Sequence, residues 1–118
     1  MSLETDMVAA LKQIVPRSFP VAAPYDTPLP YLVWQRIGGK ASDYLDDPLP
    51  ESRNANVQLT VWAASLLEAI ALMNATLSVL VASPVLHVSL TGEQRDAYDE
   101  GDALLGVQQD ISVWGDRS

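Results

Sequence analysis

The chain has 118 residues, 48% of them hydrophobic, and a formal net charge of −8 from 15 acids against 7 lysines and arginines. That length suits one domain spanning 1–118 with a modest core, and the apolar content excludes a disordered chain. So acidic a surface repels phosphates and speaks against specific nucleic-acid binding, while the absence of cysteine rules out disulfides, thiolate zinc sites and a cysteine nucleophile.

The start, Met1-Ser2-Leu3-Glu4-Thr5-Asp6, lacks the basic, apolar pattern of a signal peptide. The longest apolar-rich stretches, 66–72 (interrupted by Glu68) and 79–82, fall short of the roughly 20 residues that span a bilayer, so a soluble protein without membrane contact is expected. Leu3, Met7, Ala10, Leu11 and Ile14 recur at helical spacing, with Ser2 placed to cap the helix and Glu4 and Asp6 at its positive end. Pro16 stops this helix, because the residue before a proline is pushed out of the α region. Prolines 20, 24, 28 and 30 make 17–30 an extended connector, with room for a short edge strand at 19–22.

Residues 31–37 read as a strand with Tyr31, Val33 and Ile37 in the core phase, and 56–63 as a second with Val57, Leu59 and Val61 inward. Between them 38–55 is polar and rich in Asp, Pro and Ser, a long loop. Ser65-Leu66-Leu67-Glu68 is a capping box opening a second helix, whose stripe is Leu66, Ile70, Met73, Leu77 and Leu80. The helix ends before Ser83-Pro84. A third strand is expected at 85–90 with Leu86, Val88 and Leu90 inward, then an acidic loop over 91–106, then a fourth strand at 107–114 with Val107, Ile111 and Val113 inward. The order αββαββ predicts an α+β two-layer sandwich, one antiparallel four-stranded sheet with both helices on one face.

In this reading Trp34, Trp62 and Trp114 all fall on the polar register of their strands, opposite the core. Trp34 is accompanied by Arg36, Trp62 by Gln58 and Thr60, and Trp114 by Asp110, with His87 on the same face of the third strand. Large aromatics among polar neighbours suit an interface, and these eight residues are the candidate contact surface. Catalytic chemistry is harder to find. His87 is the only histidine and has no nucleophile or metal partner at motif spacing. The acids of 93–102 lack the alternation and the twelfth-position glutamate of a calcium loop. Asp46, Asp47 and Glu51 sit in the long loop, a poor place to preorganise paired carboxylates. No cofactor and no enzymatic activity are expected. The competing reading is a small ligand- or metal-binding domain, or an enzymatic one, using the tryptophan face or the acidic loop 93–102.

Several stretches taken in order resemble the phage minor tail proteins of the tail completion family, which includes tail terminator and head-to-tail joining proteins. They are Val8-Ala9-Ala10-Leu11, Phe19-Pro20, Ala23-Pro24, Leu29-Pro30-Tyr31-Leu32-Val33-Trp34-Gln35, Val57-Gln58-Leu59-Thr60-Val61-Trp62-Ala63, Glu68-Ala69 and Gln109-Asp110-Ile111-Ser112-Val113-Trp114. The resemblance implies a structural subunit of a phage or prophage, made in the bacterial cytoplasm and placed in the virion tail. It implies a homo-oligomeric ring that caps the tail tube, touches the tube protein and the head connector, and lets DNA pass through its lumen.

Overall fold

The computed structural model describes residues 2–39, 52–101 and 103–116. Helix α1 spans Leu3–Ile14 and opens on Ser2, whose side chain accepts from the Thr5 N–H at 3.2 Å. Val15 closes it in an extended conformation ahead of Pro16. A three-residue strand β1, Ser18–Pro20, leads through the proline connector to β2, Tyr31–Gly38. Arg17 holds that connector in place: its Nε donates to the Pro28 and Pro30 carbonyls at 2.9 and 3.2 Å, and its Nη2 to the Leu29 carbonyl at 3.0 Å.

Strand β3, Ser52–Ala63, feeds helix α2, Leu66–Val81. The predicted capping box is formed. Ser65 Oγ accepts from the Glu68 N–H, and Glu68 Oε1 reaches back to the Ala64 N–H, each at 3.1 Å. Strands β4, His87–Leu90, β5, Arg95–Asp99, and β6, Leu104–Asp116, complete the chain.

The fold is α+β, with two helices and a six-stranded sheet ordered β1-β2-β3-β6-β4, β5 also pairing with β6. The predicted four-stranded, all-antiparallel sheet and its αββαββ order are corrected in two places. β1 adds a strand parallel to β2, so the sheet is mixed. β5 occupies part of the segment expected to be an acidic loop and forms a hairpin with β6, Arg95 opposite Gln108 and Asp99 opposite Leu104. Acids do not prevent this, because an edge strand keeps one side in water and charges there protect it from aggregation. β4 and β5 lie end to end along one edge of β6, β4 against 111–114 and β5 against 104–108.

Both helices cover one face, called here the helix side. Leu3, Met7, Leu11, Met73 and Leu80 pack there against Leu32, Val57, Leu59, Val61, Val107, Ile111 and Val113. β3 and β6 thus bury the predicted phase. β2 does not, and its correction matters for the tryptophans. Leu32 is fully buried, while Tyr31 and Val33 are partly exposed and Ile37 exposed. Each of Tyr31, Leu32, Val33 and Trp34 is apolar, so alternation could not decide the face. Pairing does: Leu32 stands opposite Val61 and Trp34 opposite Leu59, both core residues of β3. Bounds change as well. The long-loop expectation loses Gly38 to β2 and 52–55 to β3, and of what is left 40–51 lies outside the described residues. The strands expected at 85–90 and 107–114 run over His87–Leu90 and Leu104–Asp116, and Leu90, expected inward, is half exposed at the sheet edge.

Candidate functional site

The sheet face opposite the helices, the outer face, is built from rows that run across paired strands. Tyr31, Trp62, Gly106 and Ala97 form one row, and Val33, Thr60, Gln108 and Arg95 the next. Then come Gln35, Gln58 and Asp110, followed by Asn56, Ser112 and Ser89, and finally Asn54, Trp114 and His87. Of the eight candidates, Gln58, Thr60, Trp62, His87, Asp110 and Trp114 share this face, as expected. Trp34 and Arg36 do not.

Trp34 packs on the helix side against the core, and its Nε1 is buried without a hydrogen-bond partner among the described residues. Arg36 reaches α1, Nη1 lying 3.4 Å from Glu4 Oε2, and Arg53 pairs with the other oxygen of the same carboxylate. Burial opposes ionisation of Glu4, but the hydrogen bond from Arg53 and the charges of Arg53 and Arg36 outweigh it and hold the carboxyl below the usual glutamate range.

The two tryptophans that remain stand at opposite ends of the outer face. Eight residues of β3 separate their rows, about 26 Å at 3.3 Å per residue. The predicted single aromatic face is therefore two aromatic ends joined by a polar middle. At the first end Trp62 lies over Gly106, where an added Cβ would come 2.8 Å from its Cε3 and 2.5 Å from the Val61 carbonyl oxygen. Glycine there lets the indole lie flat on the sheet. The connector folds over this end and leaves a cleft of about 350 Å³ lined by Val21, Ala22, Ala23, Tyr31, Gln58, Thr60, Trp62 and Asp99 among others. Val21 turns the chain there with φ 66°, a costly conformation for a β-branched residue.

In the middle Arg95 donates from Nε to Gln108 Oε1 and from Nη2 to Asp110 Oδ1, both at 3.1 Å. At the second end Asn54 Nδ2 donates to Ser112 Oγ at 2.8 Å and to the Val113 carbonyl at 3.0 Å, beside half-buried Trp114 and exposed His87. None of the described helices covers this end.

Reading the sequence missed Gln109, a polar residue in the core phase of β6. It is 1% exposed, and its Nε2 donates to the carbonyls of Gly92 at 2.8 Å and Asp110 at 2.9 Å. It fastens the bend between β4 and β5, a job visible only once both strands share one edge. Within the acidic segment, Asp99 Oδ1 accepts from the Gly101 N–H, a turn contact. Asp46, Asp47, Glu51 and Asp102 lie outside the described residues. No group of three or more His, Cys, Asp or Glu able to hold a metal occurs among the described residues, and none of their helices is long and apolar enough to cross a membrane.

The family model for tail completion protein gp17 matches residues 6–116. No characterised protein matches the chain.

Proposed function

The chain belongs to the tail completion protein gp17 family, a structural family of phage tails, and from that premise we propose that it acts as a single domain, a tail terminator or head-to-tail joining subunit. In this reading copies close into a ring on the head-proximal end of the tail tube, stop its growth and present a surface to the head connector. The protein is made in the bacterial cytoplasm from a phage or prophage and ends in the virion tail.

The observation that carries the reading is the outer face, where Trp62, Trp114, His87, Asp110 and Gln58 stand opposite the helices and offer contacts of mixed polarity, Thr60 on the same face being buried. Its tryptophans are already half buried. Covering what remains exposed, at most ~90 Å² of each, at ~25 cal/mol/Å² contributes at most about 2 kcal/mol apiece. Association costs an estimated 4 to 15 kcal/mol. Two aromatic ends therefore need the polar middle and further contacts to hold a ring, which suits a subunit that assembles on a tube rather than a tight free dimer.

Charge supports the DNA-passing part of the reading. Arg17, Arg53 and Arg95 are spent on internal acceptors, so they do not offer free guanidinium groups to phosphates. Mixing the chain with its tail tube protein should give capped tubes of defined length under the electron microscope. Tubes that grow unchanged in its presence contradict the terminator role.

A further inference from the structure

Beyond the core packing of α2 on β6, a side-chain hydrogen bond ties α2 to the segment leading into β5, where Gln94 Nε2 donates to Asn74 Oδ1 at 2.6 Å. From this tie both elements run towards the hairpin tip. Leu67 and Ala71 share the flank of α2 that carries Asn74, at spacings of three and four residues, and Leu67 lies ~10 Å along the helix from Asn74. Tyr98 lies ~13 Å along the strand from Gln94. Tyr98 is paired with Leu105, and Leu105 with Ala63, just ahead of the start of α2. Leu67 at the start of α2 and Tyr98 and Leu105 on the hairpin therefore stand at one end of the helix side, 79%, 59% and 39% exposed, and the strip between them is called here the trough. Single exposed apolar residues need no explanation, but three that converge do.

The rim is acidic. Exposed Asp96 and Glu100 lie within two residues of Tyr98, and exposed Glu68 follows Leu67; Asp96 faces the helix side because its partner is the buried Val107. Arg95 points to the outer face, where Gln108 and Asp110 hold it.

We propose that this trough docks a basic, apolar-faced segment of a different protein rather than a second copy of this chain. Apolar anchors ringed by acids fit a segment whose leucine or phenylalanine knobs are flanked by lysine or arginine. A second copy brings a net charge of −8. Its described arginines are also committed, Arg17 to backbone carbonyls, Arg36 and Arg53 to Glu4, and Arg95 to Asp110. Only Lys12 is left without an acceptor among the described cations. The trough and the outer face lie on opposite sides of β5, so one subunit can hold its neighbours and this partner together. The partner's identity as another virion protein rests on the tail completion reading; the surface does not.

The test places a photoreactive phenylalanine analogue at Tyr98, and separately at Leu105, in the full chain. Each labelled chain is mixed with purified tail tube protein and with purified head connector protein. The expected product is a crosslink to a basic segment of one of them, weakening about tenfold between about 50 mM and about 500 mM salt. Leu67→Asp, or Asp96→Lys with Glu100→Lys, should lower its yield about tenfold while the chain's melting transition is kept. Products joining only copies of this chain, or no product with either protein from either label, overturn the proposal. The same mixtures are scored for tube length. Capped tubes without a crosslink remove the trough and leave the terminator role standing, whereas a crosslink with uncapped tubes does the reverse.

Discussion

Glu4 serves two cationic partners from the first turn of α1 and joins the helix to the β2–β3 end of the sheet. Its carboxyl is held below the ordinary range in the folded chain, so the folded state favours the charged form. The stability this adds is complete above the unfolded value, near 4.3, and is lost as pH falls through the lower folded value. Glu4→Gln should cost about 1 kcal/mol near neutral pH, because Arg53 keeps only part of its partner. Thermal melts of the two proteins should differ most at neutral pH and converge once pH has fallen well below the ordinary glutamate range; a gap constant over that span would contradict the assignment. Gly106 gives the second prediction at this scale. Gly106→Ala drives a methyl group into the Trp62 ring and the Val61 carbonyl, so a loss of about 1 to 3 kcal/mol is expected in denaturant titrations, with a changed tryptophan emission. An unchanged emission would mean that the indole does not rest there.

Helix α2 was the element most legible from sequence, because Ser65 and Glu68 have a local job that sequence spacing exposes. Ser65→Ala should destabilise the fold by about 1 kcal/mol in equilibrium unfolding, by leaving the Glu68 N–H without its cap. The strands were legible where polar and apolar residues alternate, as in β3 and, apart from Gln109, in the Val107 to Val113 part of β6. β2 was not: four apolar residues open it, and only the register against Leu59 and Val61 decides that Leu32 and Trp34 face inward. A slip of one phase carries Trp34 and Arg36 to the other face, which is how two of the eight candidate contacts were misplaced. β5 was hidden for another reason. Its charges report an edge strand's exposure to water, and the long-range pairing with β6 that creates the strand leaves no local signal.

At the scale of the molecule, the sheet separates two surfaces of different character. The outer face offers aromatic ends and a polar middle that suit neighbouring subunits, and the helix side offers an acidic-rimmed trough at the hairpin. Replacing Trp62 and Trp114 together by alanine should abolish capping of tail tubes, seen under the electron microscope as tubes of unrestricted length. The circular dichroism spectrum should remain that of the folded chain, since neither side chain belongs to the core cluster. Cryo-electron microscopy of the head-proximal end of tails carrying this chain tests the assembly face most directly. The account predicts a closed ring in which Trp62 and Trp114 of each subunit lie against the next. A ring that leaves both tryptophans facing solvent, or covered only by their own subunit, would contradict it.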